Sequence, residues 1–235
     1  MINLVTIILI IILIIIYFLD NKSSEPFISE EIDNYKYYNE KGELINHKQE
    51  ERDEQEQAYK FIEADDIVLE LGGRYGTVSG VINSKLNNKK NHVVVEPDEN
   101  IIPCLTKNRD SNNCDYHILP KIISNSNKKK VESGYGTHYV DSTCDDKANN
   151  IISYQEFKEK FPLDFNVLVA DCEGCLAEFI KNMGTDFSKI NKVIFEADFP
   201  NLCDYNEVIK TLENSGFTMA EKKFNGVDRY VFIKN

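Results

Sequence analysis

The sequence lacks several patterns that would assign it to a well-defined class. Its 235 residues contain no internal repeat, which argues against a repeat architecture. The six cysteines lack the regular spacing of a disulfide framework, so we expect reduced thiols. Basic charge is also scarce: the formal net charge is −12, and the run of lysines at residues 128–130 is typical of a solvated loop. An excess of negative charge repels phosphate backbones, so the composition predicts no nucleic-acid partner.

The N-terminal residues form a long apolar run. Residues 4–19 are apolar apart from Thr6, and together with Ile2 they approach the roughly 17–25 residues that a membrane-spanning helix needs. A cleaved signal peptide is the alternative, but it would need a basic start and small residues before the cut, which residues 17–20 do not supply. We therefore predict a transmembrane helix at residues 1–19 that anchors a single-pass membrane protein.

Composition divides the rest of the chain in two. Residues 20–57 are charged and poor in aliphatic side chains, which predicts a stalk or linker. Residues 48–61 are rich in good helix formers, which predicts an exposed helix leading into the domain. Residues 58–235 have the length of one domain with a substantial core.

From residue 67 onward, apolar strands alternate with amphipathic helices, which indicates a parallel sheet with helices on both faces. The chain ends in two strands, at residues 217–224 and 227–233, joined by Asn225 and Gly226, a pair preferred in two-residue hairpins. We predict an α/β fold, a doubly wound Rossmann-like sheet with a terminal antiparallel hairpin whose last strand lies beside the fifth. The earlier strands are predicted at residues 67–71, 92–96, 116–119, 165–170 and 192–197. Helices are predicted at residues 77–86, after Asp98, from a capping box at Ser153, up to residue 181 after the fourth strand, and from Asp204 to Gly216.

The sequence ELGGRYG, at residues 70–76, directly follows the first predicted strand. Its glycines allow a sharp turn into a helix and let a ligand approach the main chain closely. They are Gly72, Gly73 and Gly76. Arg74 stands where the second glycine of a dinucleotide fingerprint should be, which disfavours NAD. Glu70, ahead of the glycines, suits a ligand whose near end is positively charged. The alternative is that this glycine-rich turn binds no ligand.

The second predicted strand ends in an acidic residue. Glu96 comes some twenty residues after the glycine turn, and Asp98 follows it. At the carboxyl end of a parallel strand, such a carboxylate can accept hydrogen bonds from the two hydroxyls of a ribose. Together with the positive ligand end favoured at Glu70, this pattern favours S-adenosylmethionine over a dinucleotide as the cofactor.

Three stretches resemble the FkbM-type family of S-adenosylmethionine-dependent methyltransferases, over roughly residue 61 to the C-terminus. Residues 68–76 resemble the family's first motif, residues 95–98 its ribose-binding strand end, and residues 168–175 its fourth-strand motif, Asp-x-Glu-Gly. The resemblance implies a class I methyltransferase fold and methyl transfer to a hydroxyl, often on sugars or other natural products. A glycan or other small acceptor is therefore expected. Because S-adenosylmethionine is made in the cytosol, we also expect the catalytic domain to be cytosolic.

Carboxylates are the predicted catalytic groups, because methyl transfer to an alcohol needs in-line geometry and a base for the hydroxyl proton. Asp171 ends the fourth predicted strand, and Glu173 follows at the sheet edge where open α/β folds bind ligands. Glu196 and Asp198 end the adjacent strand. This layout resembles that of catechol-type O-methyltransferases, which use magnesium, so Mg²⁺ is a second candidate cofactor without assigned metal ligands.

Two alternatives remain open at this point. The carboxylates could cap helices or fasten loops, and the chain could be a non-catalytic protein that keeps the methyltransferase fold as a structural or cofactor-sensing module.

Other residues near the predicted site have weaker signals. Residues 121–150 are polar, which predicts a cover over a pocket. His117 and His138 are further candidate bases because imidazole titrates near neutral pH, but neither has a motif partner. His138 could reach an acceptor if its loop closes, although a surface position is the preferred interpretation. Cys172 and Cys175 have the spacing of a redox or zinc site, but zinc would need a second pair, so we interpret them as two small residues packed at a turn.

Overall fold

The chain forms a layered α/β structure in a computed structural model that describes residues 29–49, 51–133, 136–142 and 149–234. The strands are β1 Val68–Leu71, β2 His92–Val95, β3 His117–Leu119, β4 Ile122–Ile123, β5 Lys128–Ser133, β6 Gly136–Asp141, β7 Ile151–Ile152, β8 Val167–Ala170, β9 Lys192–Glu196, β10 Phe217–Phe224 and β11 Asp228–Lys234. The helices are α1 Glu30–Asp33, α2 Arg52–Phe61, α3 Thr77–Lys85, α4 Ile102–Ser111, α5 Tyr154–Lys160, α6 Leu176–Met183 and α7 Tyr205–Asn214, with a 3-10 helix at Gly184–Lys189.

Seven strands form one sheet, in the order β10-β11-β9-β8-β1-β2-β3. Neighbouring strands are parallel from β9 to β3. The last strand, β11, runs antiparallel to both β9 and β10. Gly226, in the turn between β10 and β11, has φ +79°, which suits the predicted Asn-Gly hairpin. The prediction of a doubly wound sheet whose last strand lies beside the fifth is confirmed.

The central strands are buried on both faces. Every residue of β1, β2 and β8 is buried, as expected for a parallel sheet between two layers of helices. On one face, Leu69 belongs to a core cluster with Phe179 of α6. On the other face, Val68 belongs to a cluster with Ala58 of α2 and Ile82 of α3. A ligand can therefore reach these three strands only at their ends.

Two helices begin at the predicted signals. Ser153 caps α5, and its reciprocal hydrogen bonds with Glu156 form the predicted capping box. Asp204 caps α7, because its side chain accepts two backbone N–H groups of the first turn. These caps fix where the helices start after β7 and β9.

Residues 29–49 and helix α2 pack against the rest of the domain. Tyr37 is 2% exposed, and a Cβ on Gly80 of α3 would lie 2.1 Å from the Tyr37 hydroxyl. Helix α2 ends as predicted, but the expectation that it is exposed was wrong, because one face of it packs on α3. Its buried residues are Glu54, Gln55, Gln57 and Ala58. The domain boundary at residue 58 stays a prediction.

The structure corrects the predicted localisation. Across the ranges given above, no helix is long and apolar enough to cross a membrane, so a single-pass membrane protein is not supported. The apolar run on which that prediction rested, residues 4–19, lies outside the described residues.

Candidate active site

A cavity of about 560 Å³ opens at the carboxyl ends of the parallel strands. Its volume is in the range of small-molecule and cofactor sites, and its position is where open α/β sheets bind ligands. Acidic side chains dominate its charged lining. They are Glu51, Glu54, Glu70, Glu96, Asp98, Asp141, Asp171, Glu173, Glu178, Glu196 and Asp198, against the basic residues Arg74, Lys121, Lys128 and Arg229.

The glycine turn after β1 forms one wall of this cavity. Gly72 has φ +90°, and a Cβ there would lie 1.7 Å from the carbonyl oxygen of Asp171. Gly76 has φ +82°, and its Cβ would lie 2.7 Å from the Tyr116 hydroxyl. At Gly73 a Cβ would lie 2.3 Å from a side-chain methyl of β2. At all three positions the neighbouring atoms leave no room for a Cβ, so glycine is required. The main chain of the turn therefore lies against the end of β8.

Glu96 lies just beyond β2, at the predicted position, and the main chain orients both its oxygens. The backbone N–H groups of Arg74 and Asp98 each donate to one oxygen, at 2.8 Å. Burial raises the pKa of Glu96, whereas the two N–H donors favour its charged form. Because a carboxylate has about four acceptor sites, Glu96 can still accept two further hydrogen bonds.

Glu70 lines the cavity but already has two protein partners. The residue is 2% exposed, the Ser79 hydroxyl donates to Oε1 at 3.0 Å, and His92 Nε2 lies 2.8 Å from Oε2. The sequence predicted a carboxylate that meets the positive end of a ligand. Sequence reasoning missed these two partners, because His92 comes from the neighbouring strand and Ser79 from the following helix.

Asp171 and Glu173 stand together beyond β8, as predicted. The backbone N–H of Asp171 donates to the carbonyl of Leu71 at 3.0 Å, which ties this turn to the glycine turn. Burial raises the pKa of Asp171 well above its usual value, and the carboxylates of Asp198 and Glu51 raise it further. Burial also raises the pKa of Glu173 to about 6. A positively charged ligand in the cavity would favour the ionised form of both groups.

The two cysteines around Glu173 form a disulfide, so the expectation of reduced thiols at this turn was wrong. The Cα atoms of Cys172 and Cys175 lie 5.5 Å apart, within the range that a disulfide needs. Left-handed conformations at Glu173, with φ +51°, and at Gly174, with φ +94°, fold the turn tightly enough to bring the two residues together. The described cysteines outside this turn are free, as predicted, namely Cys104, Cys114 and Cys203.

Sequence analysis missed three residues that line the cavity from elements far apart in the chain. Glu54 and Gln57 lie on α2, and Arg229 lies near the start of β11. Arg229 donates to Glu54, and its Nη2 lies 3.0 Å from Glu196 Oε2. Burial raises the pKa of Glu196, a hydrogen bond with Glu54 adds to this, and Arg229 opposes it. No local signal could reveal this cluster, because Glu54 and Arg229 are 175 residues apart in the chain.

The carboxylates at the end of β9 have protein partners rather than the geometry of a metal site. Glu196 pairs with Arg229, and Asp198 accepts a hydrogen bond from the Tyr205 hydroxyl at 3.0 Å. Among the residues that the structure describes, no group of three or more potential ligands is arranged to hold a metal ion. The predicted meeting of carboxylates from β8 and β9 is present, but it gives no support to Mg²⁺.

The hairpin of β5 and β6 lies over the cavity where the polar cover was predicted. Tyr139 of β6 lines the cavity, and Lys130 Nζ of β5 lies 3.2 Å from Asp98 Oδ1. Burial raises the pKa of Tyr139 to about 12, with a further contribution from Asp98. Residues 134–135 and 143–148 of the predicted cover lie outside the described residues.

Neither candidate histidine is among the residues that line the cavity. The ring of His117 packs on Phe161, with centroids 5.4 Å apart. The ring of His138 lies 5.3 Å from that of Phe199, which does line the cavity. The structure therefore brings His138 to the rim and leaves His117 away from the carboxylates.

No family model and no curated relative matches the chain. Among solved structures, it is similar to a ribosomal protein L11 methylase from Lactobacillus delbrueckii subsp. bulgaricus, with a TM-score of 0.48, 11% identity and 78% of each chain covered. It is also similar to M. capricolum TrmK in complex with S-adenosylhomocysteine, with a TM-score of 0.48, 12% identity, and 77% of this chain and 67% of that chain covered. An rRNA methylase from Streptococcus thermophilus gives a TM-score of 0.49 at 7% identity, with 77% of this chain and 93% of that chain covered.

The strand order, with one antiparallel strand inserted beside the fifth, defines a class I methyltransferase-like α/β fold. The similar structures have TM-scores of 0.48–0.49 and identities of 7–12%, so they transfer no substrate or residue role to the chain. Membership of the FkbM-type family is not shown by any match. Because one fold serves many acceptors, the fold gives no ground for excluding nucleic acid.

Proposed function

We propose that the chain is an S-adenosylmethionine-dependent methyltransferase, of the FkbM type that its motifs resemble, which O-methylates a hydroxyl of a glycan or another small acceptor. The observation that carries this proposal is Glu96, a buried carboxylate at the end of β2 that two main-chain N–H groups orient at the cavity. Its remaining acceptor sites suit the two hydroxyls of a ribose.

The residues around Glu96 fit the rest of such a cofactor. The main chain at Gly72 and Gly73 lines the cavity. Asp98 also lines the cavity, two residues after Glu96, at the end where the nucleoside would bind. When bound, S-adenosylmethionine supplies a methyl group activated by a positive sulfonium. The carboxylates that line the cavity, including Glu70 behind the turn, would stabilise that positive charge, whereas they would repel the pyrophosphate of a dinucleotide.

Asp171 is the base in this proposal. Transfer to an alcohol forms a bond between the acceptor oxygen and the methyl carbon and releases the hydroxyl proton, which the carboxylate of Asp171 accepts. The raised pKa of Asp171 makes it a stronger base than an exposed aspartate. Glu173, two residues on, keeps the turn negative and is the second catalytic candidate. The carboxylate lining also favours a small acceptor over a phosphate backbone.

The test compares Asp171→Asn with the unchanged chain in transfer of a labelled methyl group to glycans and other hydroxyl acceptors. We expect turnover to fall by about 10²–10⁴-fold, the usual contribution of a general base, with little change in affinity for S-adenosylhomocysteine. Asp164→Asn, at an exposed aspartate, is the matched control and should keep full turnover. Unchanged turnover in Asp171→Asn would remove Asp171 from the chemistry. Cofactor binding without transfer to any acceptor, RNA included, would favour the non-catalytic alternative.

A further inference from the structure

The end of the cavity beside β9 has more carboxyl groups than basic partners. Arg229 is shared by Glu54 and Glu196. Asp171 and Asp198 have no ion pair within the part of the chain that the structure describes, and the only side-chain partner of Asp198 there is the Tyr205 hydroxyl. Four carboxyl groups and one guanidinium therefore line this part of the cavity.

A buried side chain without a partner lies beside this cluster. Gln57 is 1% exposed and lines the cavity, yet neither its amide nitrogen nor its amide oxygen has a hydrogen-bond partner within the described residues. It is three residues after Glu54 on α2, so the two side chains share one helix face. A buried amide left unpaired is unfavourable, which points to a polar ligand that supplies the missing hydrogen bonds.

The cluster is separate from the end where the nucleoside would bind. The strand order places β8 next to β1 and β9 beyond it, on the side away from β2. With adjacent strands about 4.8 Å apart, the end of β9 lies about 14 Å from the end of β2. Glu96, Asp171 and Asp198 thus follow one another across the sheet edge, with Asp171 in the middle.

We propose that the acceptor carries a protonated amine near its reacting hydroxyl, as amino sugars and amino alcohols do. Glu196 and Asp198 bind the ammonium group, Gln57 hydrogen-bonds a neighbouring polar group, and Asp171 faces the hydroxyl between the ammonium and the cofactor. This inference rests on the proposed function and names its substrate class.

The experiment measures labelled methyl transfer from S-adenosylmethionine to pairs of acceptors that differ only in the charge on nitrogen. The probes are glucosamine, galactosamine and 2-aminoethanol, each beside its N-acetylated form, near neutral pH. We expect at least tenfold higher kcat/KM for the free amine within a pair. Equal or faster transfer to the N-acetylated forms, or no transfer to any free amine by a chain that binds S-adenosylhomocysteine, would overturn the inference.

Two variants test which residues bind the amine-bearing acceptor. Asp198→Asn and Gln57→Leu should each lower kcat/KM for the preferred amine by at least tenfold while leaving affinity for S-adenosylhomocysteine within about twofold. Asp164→Asn again serves as the surface control. If the variants weaken S-adenosylhomocysteine binding instead, the cluster belongs to the cofactor and the inference is wrong. If the unchanged chain binds no S-adenosylhomocysteine, the proposed function fails first, which a calorimetric titration shows separately from the choice of acceptor.

Discussion

Replacing Gly72 with alanine would test the contact that joins the glycine turn to the end of β8. Gly72 has φ +90°, and a Cβ there would lie 1.7 Å from the carbonyl oxygen and 2.8 Å from the carbonyl carbon of Asp171. The left-handed conformation costs an alanine about 1–2 kcal/mol. The clash is with backbone, which no rotamer change relieves, so overpacking adds about 1–3 kcal/mol. We therefore expect Gly72→Ala to lower the free energy of unfolding by about 2–5 kcal/mol.

Urea denaturation provides the assay, with Gly226→Ala as the matched control. Gly226 has φ +79° but no atom within 4 Å of an added Cβ, so its alanine variant carries the conformational cost alone. The difference between the two variants isolates the steric contact, and we expect it to be about 1–3 kcal/mol. Equal losses in the two variants would refute the close approach of the glycine turn to Asp171.

Three further predictions concern other parts of the structure. Lys192 Nζ lies 2.8 Å from Asp66 Oδ2, with both side chains almost fully buried. Lys192→Met should lower the free energy of unfolding by about 3–5 kcal/mol, because it leaves the buried carboxylate of Asp66 without its counterion. A loss no larger than that of Lys189→Met, at an exposed lysine, would contradict this. Replacing both Cys172 and Cys175 with serine removes a cross-link across a short loop and should lower the free energy of unfolding by about 2 kcal/mol. Adding a reductant to the unchanged chain should have the same effect. Stability that does not respond to reductant would show that the disulfide is absent. Burial raises the pKa of Glu51 from 4.5 to about 7. Between these two pH values the folded state holds a proton that the unfolded chain releases. The associated stability is therefore present below pH 4.5 and lost as the pH rises through 7. Glu51→Gln should therefore flatten the decline in stability over that interval, and a pH profile parallel to that of the unchanged chain would count against the assignment.

The parts of the fold that depend on local sequence could be predicted. Asn225 and Gly226 determine a hairpin turn through their own backbone preferences, and Ser153 with Glu156 determines a helix start. Alternating apolar strands and helices predicted the doubly wound sheet, since the buried strands need helices on both faces. Glu96 could be found because its strand and the glycine turn lie close in sequence.

The parts that depend on distant contacts could not be predicted. Helix α2 has the composition of an exposed helix, yet its Glu54 is buried because Arg229, from the last strand, pairs with it. The two-residue spacing between Cys172 and Cys175 suits a disulfide and a pair of thiols equally, and the left-handed conformation of Glu173 decides between them. Hairpin β5–β6 could not be predicted, because its two strands are polar and pair with each other, so no apolar pattern marks them in the sequence.

The central claim is that the cavity holds an adenosine-bearing methyl donor with its ribose at Glu96. Calorimetric titration of the purified chain with S-adenosylhomocysteine tests it most directly, alongside Glu96→Gln and the exposed neighbour control Glu99→Gln. The account predicts binding by the unchanged chain and by Glu99→Gln with the same Kd, and at least tenfold weaker binding by Glu96→Gln, a difference of about 1.4 kcal/mol. Absence of binding at millimolar ligand, or equal Kd values for all three chains, would contradict it.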